Sequence, residues 1–269
     1  MTSVVVWKNQ ETNQVWSAAD SRYSRDRPLT EQAGKLLPLR VSAHRPIKDG
    51  DKVHWDGVLE LKLGFAYAGA IVPALVTHTM LTRLLAAVGS PHLRLPSLQR
   101  VADLAADVAT SVIYDVAQGY GRRYDLAVFE CALFGSDIGD ARSLPDYGTD
   151  VGAFHCYPHD RHDSWPLVSP RRVELDQGEF LVMGTSPLEV ADVVLARDPS
   201  RAFADFEPAD AIGELIRTGR FEDVGGYVQL FNPIEGASIR QGQSGRPNVF
   251  GYDITRAEEI LGLELALLR

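Results

Sequence analysis

The chain opens on an apolar run, Val4-Val5-Val6-Trp7, passes through the polar stretch Asn9 to Asn13, and resumes with Val15-Trp16-Ser17-Ala18-Ala19. β-Branched and aromatic runs broken by polar, Gly or Pro residues read as strands. The spacing predicts strands over residues 3–8, 15–21, 35–41 and 59–67, the first two joined as a hairpin with a longer turn. The period then changes. Ile71, Leu75, Met80, Leu81, Leu84 and Leu85 recur at helical spacing, as do Leu98, Val101, Leu104, Ala105, Val108, Val112 and Val116. They predict helices over 69–88 and 96–120, with Ser97 a candidate cap and Gly119 and Gly121 marking the second helix's end. Strands return over 125–134, 172–176 and 179–183, the last two separated by a tight turn at Gln177-Gly178. Helices over 187–196 and 208–218 and a strand over 226–232 complete the pattern.

Blocks of strands and blocks of helices, rather than alternating βαβ units, point to the α+β class with helices packed on sheets. Two antiparallel sheets face to face, flanked by helix pairs, would bury every one of these apolar faces. The expected architecture is therefore a four-layer α-β-β-α sandwich, formed as one elaborated domain over residues 1–269. Two stretches break the pattern and read as irregular insertions, residues 43–57 and 135–170, the second rich in Asp, Gly, Pro, Ser and His. The apolar run 260–268 reads as packed on the domain or on a partner subunit rather than as a free tail. No repeat with a period of 20 to 50 residues is present.

Composition narrows the class of function. The net charge of −9 argues against nucleic-acid and anionic-membrane partners, which need clustered Lys and Arg. No segment reaches the roughly 18 to 20 apolar residues of a membrane span, and the N-terminus lacks the basic and apolar regions of a signal peptide. The expectation is a cytoplasmic protein with no membrane partner. Cys131 and Cys156 are too few for a disulfide framework and read as reduced thiols, Cys131 inside an apolar strand.

The candidate chemistry starts at Thr2. Once Met1 is removed, a terminal amine beside a hydroxyl supplies base and nucleophile in one residue. An amine with a pKa of about 7.7 to 8.0 is partly neutral near pH 7 and can take the hydroxyl proton. A second cluster, Phe154-His155-Cys156-Tyr157-Pro158-His159-Asp160-Arg161-His162-Asp163, holds imidazoles, a thiol and carboxylates. Its spacing matches no common zinc pattern, so it reads as an insertion shaping substrate access or subunit contact, and neither a metal nor a cofactor is expected. Gly242-Gln243-Ser244-Gly245 is no phosphate loop, because no Gly-Lys-Ser/Thr follows a strand.

Thr2, the apolar strand behind it, Ala18-Ala19-Asp20-Ser21-Arg22 and then Lys35 in Gly34-Lys35-Leu36-Leu37 stand in a definite order. Taken singly, Asp20 would be a polar strand end and Lys35 an edge-strand charge. In this order the chain resembles the N-terminal nucleophile hydrolases of the proteasome β-subunit, HslV and Anbu type. The resemblance extends to Ala68-Gly69-Ala70 at a strand-to-helix junction, to Met183-Gly184-Thr185-Ser186 before a helix, and to Asp223-Val224-Gly225-Gly226 before a strand.

The resemblance implies a threonine-type peptidase or amidohydrolase in which Thr2 attacks an amide. Asp20 would orient Lys35, which favours the neutral amine, Gly69 N–H would stabilise the oxyanion, and Ser186 would bond the amine. It also implies a homo-oligomer, a ring or spiral, acting on a peptide or a small amide, with any ATPase or adaptor a separate chain. Phe221 and Val224 stand where the family carries a later Asp and Ser. That departure keeps open a silent scaffold or binding subunit of the proteasome α-subunit kind, beside a non-proteolytic amidase on the same fold.

Overall fold

A computed structural model of the chain describes residues 2–24, 28–50, 52–137, 150–161, 164–234, 236–239, 248–249 and 252–253. In chain order the elements are β1 (Ser3–Asn9), β2 (Gln14–Asp20), β3 (Tyr23–Ser24), β4 (Pro28–Thr30), β5 (Leu36–Asp49), β6 (Lys52–Gly69), α1 (Ile71–Leu85), β7 (Val88–Gly89), α2 (Leu98–Gly119), β8 (Phe129–Ser136), β9 (Val151–Arg161), β10 (Ser164–Val173), β11 (Leu181–Gly184), α3 (Pro187–Arg197), α4 (Glu207–Thr218), β12 (Val228–Asn232), β13 (Gly236–Ile239), β14 (Asn248–Val249) and β15 (Tyr252–Asp253). They belong to two compact units, one within Met1–Leu37, Ala66–Gly69 and Leu175–Arg269, the other within Pro38–Phe65 and Ala70–Glu174. Among the described residues no helix is long and apolar enough to cross a membrane.

The first unit holds a five-stranded sheet in the order β11-β1-β2-β12-β13, every pair antiparallel. Strand β1 is buried along its whole length, so it lies deep in the fold. One face of the sheet carries Val5, Trp7, Trp16, Ala18 and Leu230 against Val190 and Val194 of α3 and Ile212 and Leu215 of α4. Trp16 meets Phe206 edge-on at 4.7 Å between ring centroids. Helix α4 starts with Glu207 and Asp210 in its first turn and stops at Gly219, whose φ of 60° closes the last turn.

The second unit holds a six-stranded sheet in the order β10-β9-β8-β6-β5-β7. The β8–β9 and β9–β10 pairs are antiparallel, whereas the short β5–β7 pair is parallel and departs from the wholly antiparallel expectation. Helices α1 and α2 pack on each other, and α2 lies on β8, β9 and β10. Its inward row is Leu98, Val101, Ala105, Val108 and Val112, and Ser97 Oγ caps it by accepting the Arg100 N–H.

The structure corrects several boundaries. Residues 43–57, expected to be irregular, lie in β5 and β6, which turn at Gly50 with φ of 59°. This arm is exposed along most of its outer length, so neither face is consistently apolar and no period-2 pattern reveals it. Within 135–170, residues 151–161 and 164 onward form β9 and β10, while the segment 138–149 and the run 260–268 lie outside the described residues. The strand expected over 172–176 ends at Val173, and Leu175–Gln177 is a 3-10 turn closed by Gly178 with φ of 75°. Helix α1 begins two residues after the predicted start, because Gly69 takes φ of 106° and Ala70 is extended.

Candidate functional site

The site grows from the strand ends of the first unit. The β1–β2 register pairs Val4 with Ala19, which sets Ser3 beside Asp20 one step further on. The β1–β11 register pairs Ser3 with Gly184, and the β2–β12 register pairs Asp20 with Val228. The residues following β11 and preceding β12 therefore converge on the start of β1.

The Thr2–Ser3 peptide is held on both sides. Its carbonyl accepts the Thr185 N–H at 2.7 Å, and its N–H donates to Asp20 Oδ1 at 2.8 Å. Gly184 is what permits this approach. With φ of 97°, it has a backbone conformation L side chains rarely adopt, and a Cβ there would lie 1.8 Å from the Thr2 carbonyl oxygen. The same Cβ would meet the Ala68 methyl at 3.3 Å, so the Ala68-Gly69 segment borders the residue-2 peptide.

Asp20 is fully buried, and its carboxylate collects donors from four segments. Oδ1 accepts the Ser3 N–H and the Lys35 ammonium, the latter at 2.8 Å, while Oδ2 accepts the N–H groups of Arg22 at 3.1 Å and Gly225 at 3.2 Å. Such saturation is what a buried carboxylate requires. Burial holds the Lys35 ammonium below its ordinary pKa of 10.5, and the charge and hydrogen bond of Asp20 oppose that shift.

Lys35 is fixed through its backbone as well. Its N–H donates to Gln229 Oε1 at 3.0 Å, and Gln229 Nε2 donates in turn to the Ala33 and Asp20 carbonyls. The Tyr67 N–H donates to the Lys35 carbonyl and Tyr67 Oη to the Gly34 carbonyl. On the other side of Asp20, Ser21 and Arg22 donate their N–H groups to the Gly225 carbonyl, and Tyr227 N–H donates to Ser21 Oγ.

Of the residues singled out from sequence, Thr2, Asp20 and Lys35 are joined through the Ser3 N–H and one ion pair. Gly69 stands at the end of β6 with φ of 106°, exposed where its neighbour Ala68 is buried. Ser186 begins α3 in the left-handed region with no capping bond from its side chain. Its neighbour Thr185 is the residue that bonds residue 2. Val224 is buried in the core beneath α3 and α4, and Phe221 packs half-buried against it.

Thr185, Gln229 and Gly225 were not foreseen as site residues. Gln229 had a signal, a lone amide inside the apolar run Val228 to Phe231. Thr185 stands inside the Met183 to Ser186 segment of the resemblance, but its contact is through backbone N–H, which its side-chain type does not announce. Its hydroxyl and that of Ser3 are buried without a hydrogen-bond partner among the described residues.

The described part of the histidine cluster is split by strand alternation, and His162 and Asp163 lie outside the described residues. In β9, His155, Tyr157 and His159 point to one face, with His155 Nε2 2.7 Å from Glu130 Oε2, while Cys156 is buried on the other face opposite Cys131. Among the described residues no group of three or more His, Cys, Asp or Glu side chains is placed to hold a metal.

No family model and no curated protein matches the chain. Solved structures do. The chain is similar to Anbu, the ancestral β-subunit, from Yersinia bercovieri, with 16% identity, 100% of each chain covered and a TM-score of 0.60. It is similar to the chain of the helical Anbu assembly from Pseudomonas aeruginosa, with 16% identity, 97% of this chain and 93% of that one covered, and a TM-score of 0.58. For Anbu from Hyphomicrobium sp. strain MC1 the identity is 14%, the coverage 86% and 81%, and the TM-score 0.52. At these identities the likeness is one of fold, and the fold is the proteasome-like one of the Anbu subunits.

Proposed function

We propose that the chain is an N-terminal threonine hydrolase that cleaves an amide, by preference a peptide bond, once Met1 has been removed. The observation that carries this reading is the Thr2–Ser3 peptide, clamped between the Thr185 N–H and an Asp20 carboxylate paired with buried Lys35. A residue whose backbone is bonded on both sides is held in place before substrate arrives, which reaction at a hydroxyl needs.

In this mechanism the free Thr2 amine takes the Oγ proton as Oγ attacks the substrate carbonyl carbon. Lys35, hydrogen-bonded to Asp20, lowers the cost of the developing alkoxide and favours the neutral amine. The Gly69 N–H donates to the oxyanion. The ammonium returns its proton to the leaving nitrogen as the C–N bond breaks, and water then hydrolyses the Thr2 ester. Ser186 bonds the amine in this reading, as the resemblance implies. The four-layer arrangement of sheets and helix pairs, and assembly into an open spiral or ring, belong to the same proposal, supported by the helical assembly of the Pseudomonas aeruginosa relative.

A second reading, a silent structural subunit, is favoured by one observation, the apolar Val224 in the core with Phe221 packed against it. One experiment separates the two. Protein shown by intact mass to lack Met1 is incubated with a peptide epoxyketone or a β-lactone, and adducts are mapped. A Thr2 adduct that disappears in Thr2→Ala supports the hydrolase, and no adduct in correctly processed protein assigns the silent role.

A further inference from the structure

We propose that the outer face of α1, with Trp55 of the β5–β6 arm, is the surface on which a second copy of this chain docks. The inference rests on the reading above that copies of this chain assemble, and adds one isologous contact to the heterologous contact that a spiral or ring repeats. Helix α1 turns Ala74, Thr77, Leu81 and Leu85 inward. Its outer side carries Val72, Val76, Met80 and Leu84, exposed by 52, 40, 41 and 52%, with Leu75 beside them at 39%. Four apolar residues spaced four apart form one continuous ridge, the feature that seats in the groove of another helix.

The apolar surface does not stop at the helix end. His44 Nε2 donates to the Ala86 carbonyl, β7 continues alongside β5, and a Cβ on Gly89 would lie 3.5 Å from the Trp55 ring. Trp55 itself is 59% exposed. These side chains together leave on the order of 500 Å² of apolar surface in water, about the apolar share of the ~800 Å² that each partner covers in a standard interface. A patch of that size stands in the upper part of the range that a folded monomer exposes.

Charge selects the occupant. The chain carries a net charge of −9, so two copies repel wherever carboxylates face each other. Residues 71–85 contain no Asp or Glu, and Arg83 is their single charge. The ridge therefore brings no carboxylate of its own to a contact between two copies. A two-fold axis between Val76 and Met80 would lay the Val72 end of one helix over the Leu84 end of the other, an isologous pairing that needs no second surface.

The test is the assembly state of the full chain by light scattering and sedimentation, for wild type and for the Val76→Glu/Met80→Glu variant. Both positions are exposed, so circular dichroism and the thermal transition are expected to stay as in wild type. The expected result is that wild type self-associates and the variant dissociates at least tenfold more readily. In a second arm, Met80→Cys provides an accessible thiol, since Cys131 and Cys156 are buried, and a short bismaleimide should join two copies through it. Wild-type assembly that survives the double variant, with no cross-link, assigns the ridge to a different partner and overturns the proposal. A wild type that stays monomeric at every concentration overturns the assembly reading as well.

Discussion

Lys35 Nζ lies 2.8 Å from Asp20 Oδ1, with 1% and 0% of the two side chains exposed. Removing two charges from water is costly, and a pair alone rarely recovers that cost. Here the carboxylate also accepts three backbone N–H groups, from Ser3, Arg22 and Gly225, so the pair ties the start of β1, the end of β2 and the approach to β12 together. A pair whose net contribution to stability is small can still fix the position of Thr2, because one of those donors is the N–H of the Thr2–Ser3 peptide.

Breaking the pair from one side should therefore destabilise strongly. Lys35→Met keeps the length of the side chain but leaves Asp20 buried without a cation, and the expected loss is about 3–5 kcal/mol. Urea unfolding of the two proteins measures it. A loss under about 1 kcal/mol would mean that the N–H donors alone satisfy the carboxylate.

Gly184 and Gly225 border the same site and should respond differently to Ala. At Gly184 the new methyl meets a backbone oxygen at 1.8 Å with φ at 97°, so Gly184→Ala should cost roughly 3 kcal/mol or more and displace residue 2. At Gly225 it meets the far end of the Arg22 side chain at 2.2 Å, which can swing away from Glu31 and Glu222 at a cost of about 1 kcal/mol or less. Equal losses in thermal or urea unfolding would contradict this ordering.

Residues 3–9, 14–20, 98–119, 187–197 and 207–218 were legible because each buries one face or is buried throughout, and burial writes a period into the sequence. The order Thr2, Asp20, Lys35 was legible as a resemblance, and the fold makes a contact of it. What escaped has two physical causes. Arm residues 44–58 and strand β9 interleave His, Asp, Lys and Gly with apolar residues, so their pairing is set by neighbouring strands rather than by their own pattern. Thr185 and Gly225 act through backbone N–H groups, which every residue but proline has, so no side-chain type announces them.

Cys131 and Cys156 face each other across β8 and β9, both with no exposed surface. A hydrogen bond to Cys156, and then burial, push the Cys131 thiol well above its ordinary range. Native protein at pH 8 should accordingly leave both thiols unlabelled by a maleimide or an aromatic disulfide, and unfolding in urea should expose two. Rapid labelling of the native chain would contradict the buried pairing.

The last prediction concerns pH and turns on opposite shifts in two neighbours. Lys35 is held below 10.5 by burial, which outweighs the pull of Asp20. Between its lowered folded value and 10.5, the folded chain has released a proton that the unfolded chain still holds, so the Lys35 contribution to stability rises with pH across that window. Tyr67, whose hydroxyl donates to the Gly34 carbonyl, is shifted upward from 10.0 by burial and then by Tyr23. Above pH 10 the unfolded chain ionises this phenol first, and stability falls. Urea midpoints from pH 7.5 to 11 for wild type, Lys35→Met and Tyr67→Phe separate the two. The wild-type advantage over Lys35→Met should grow toward about pH 10.5, and the downturn above pH 10 should be shallower in Tyr67→Phe. An advantage that shrinks as pH rises would mean that Asp20, not burial, governs the Lys35 proton.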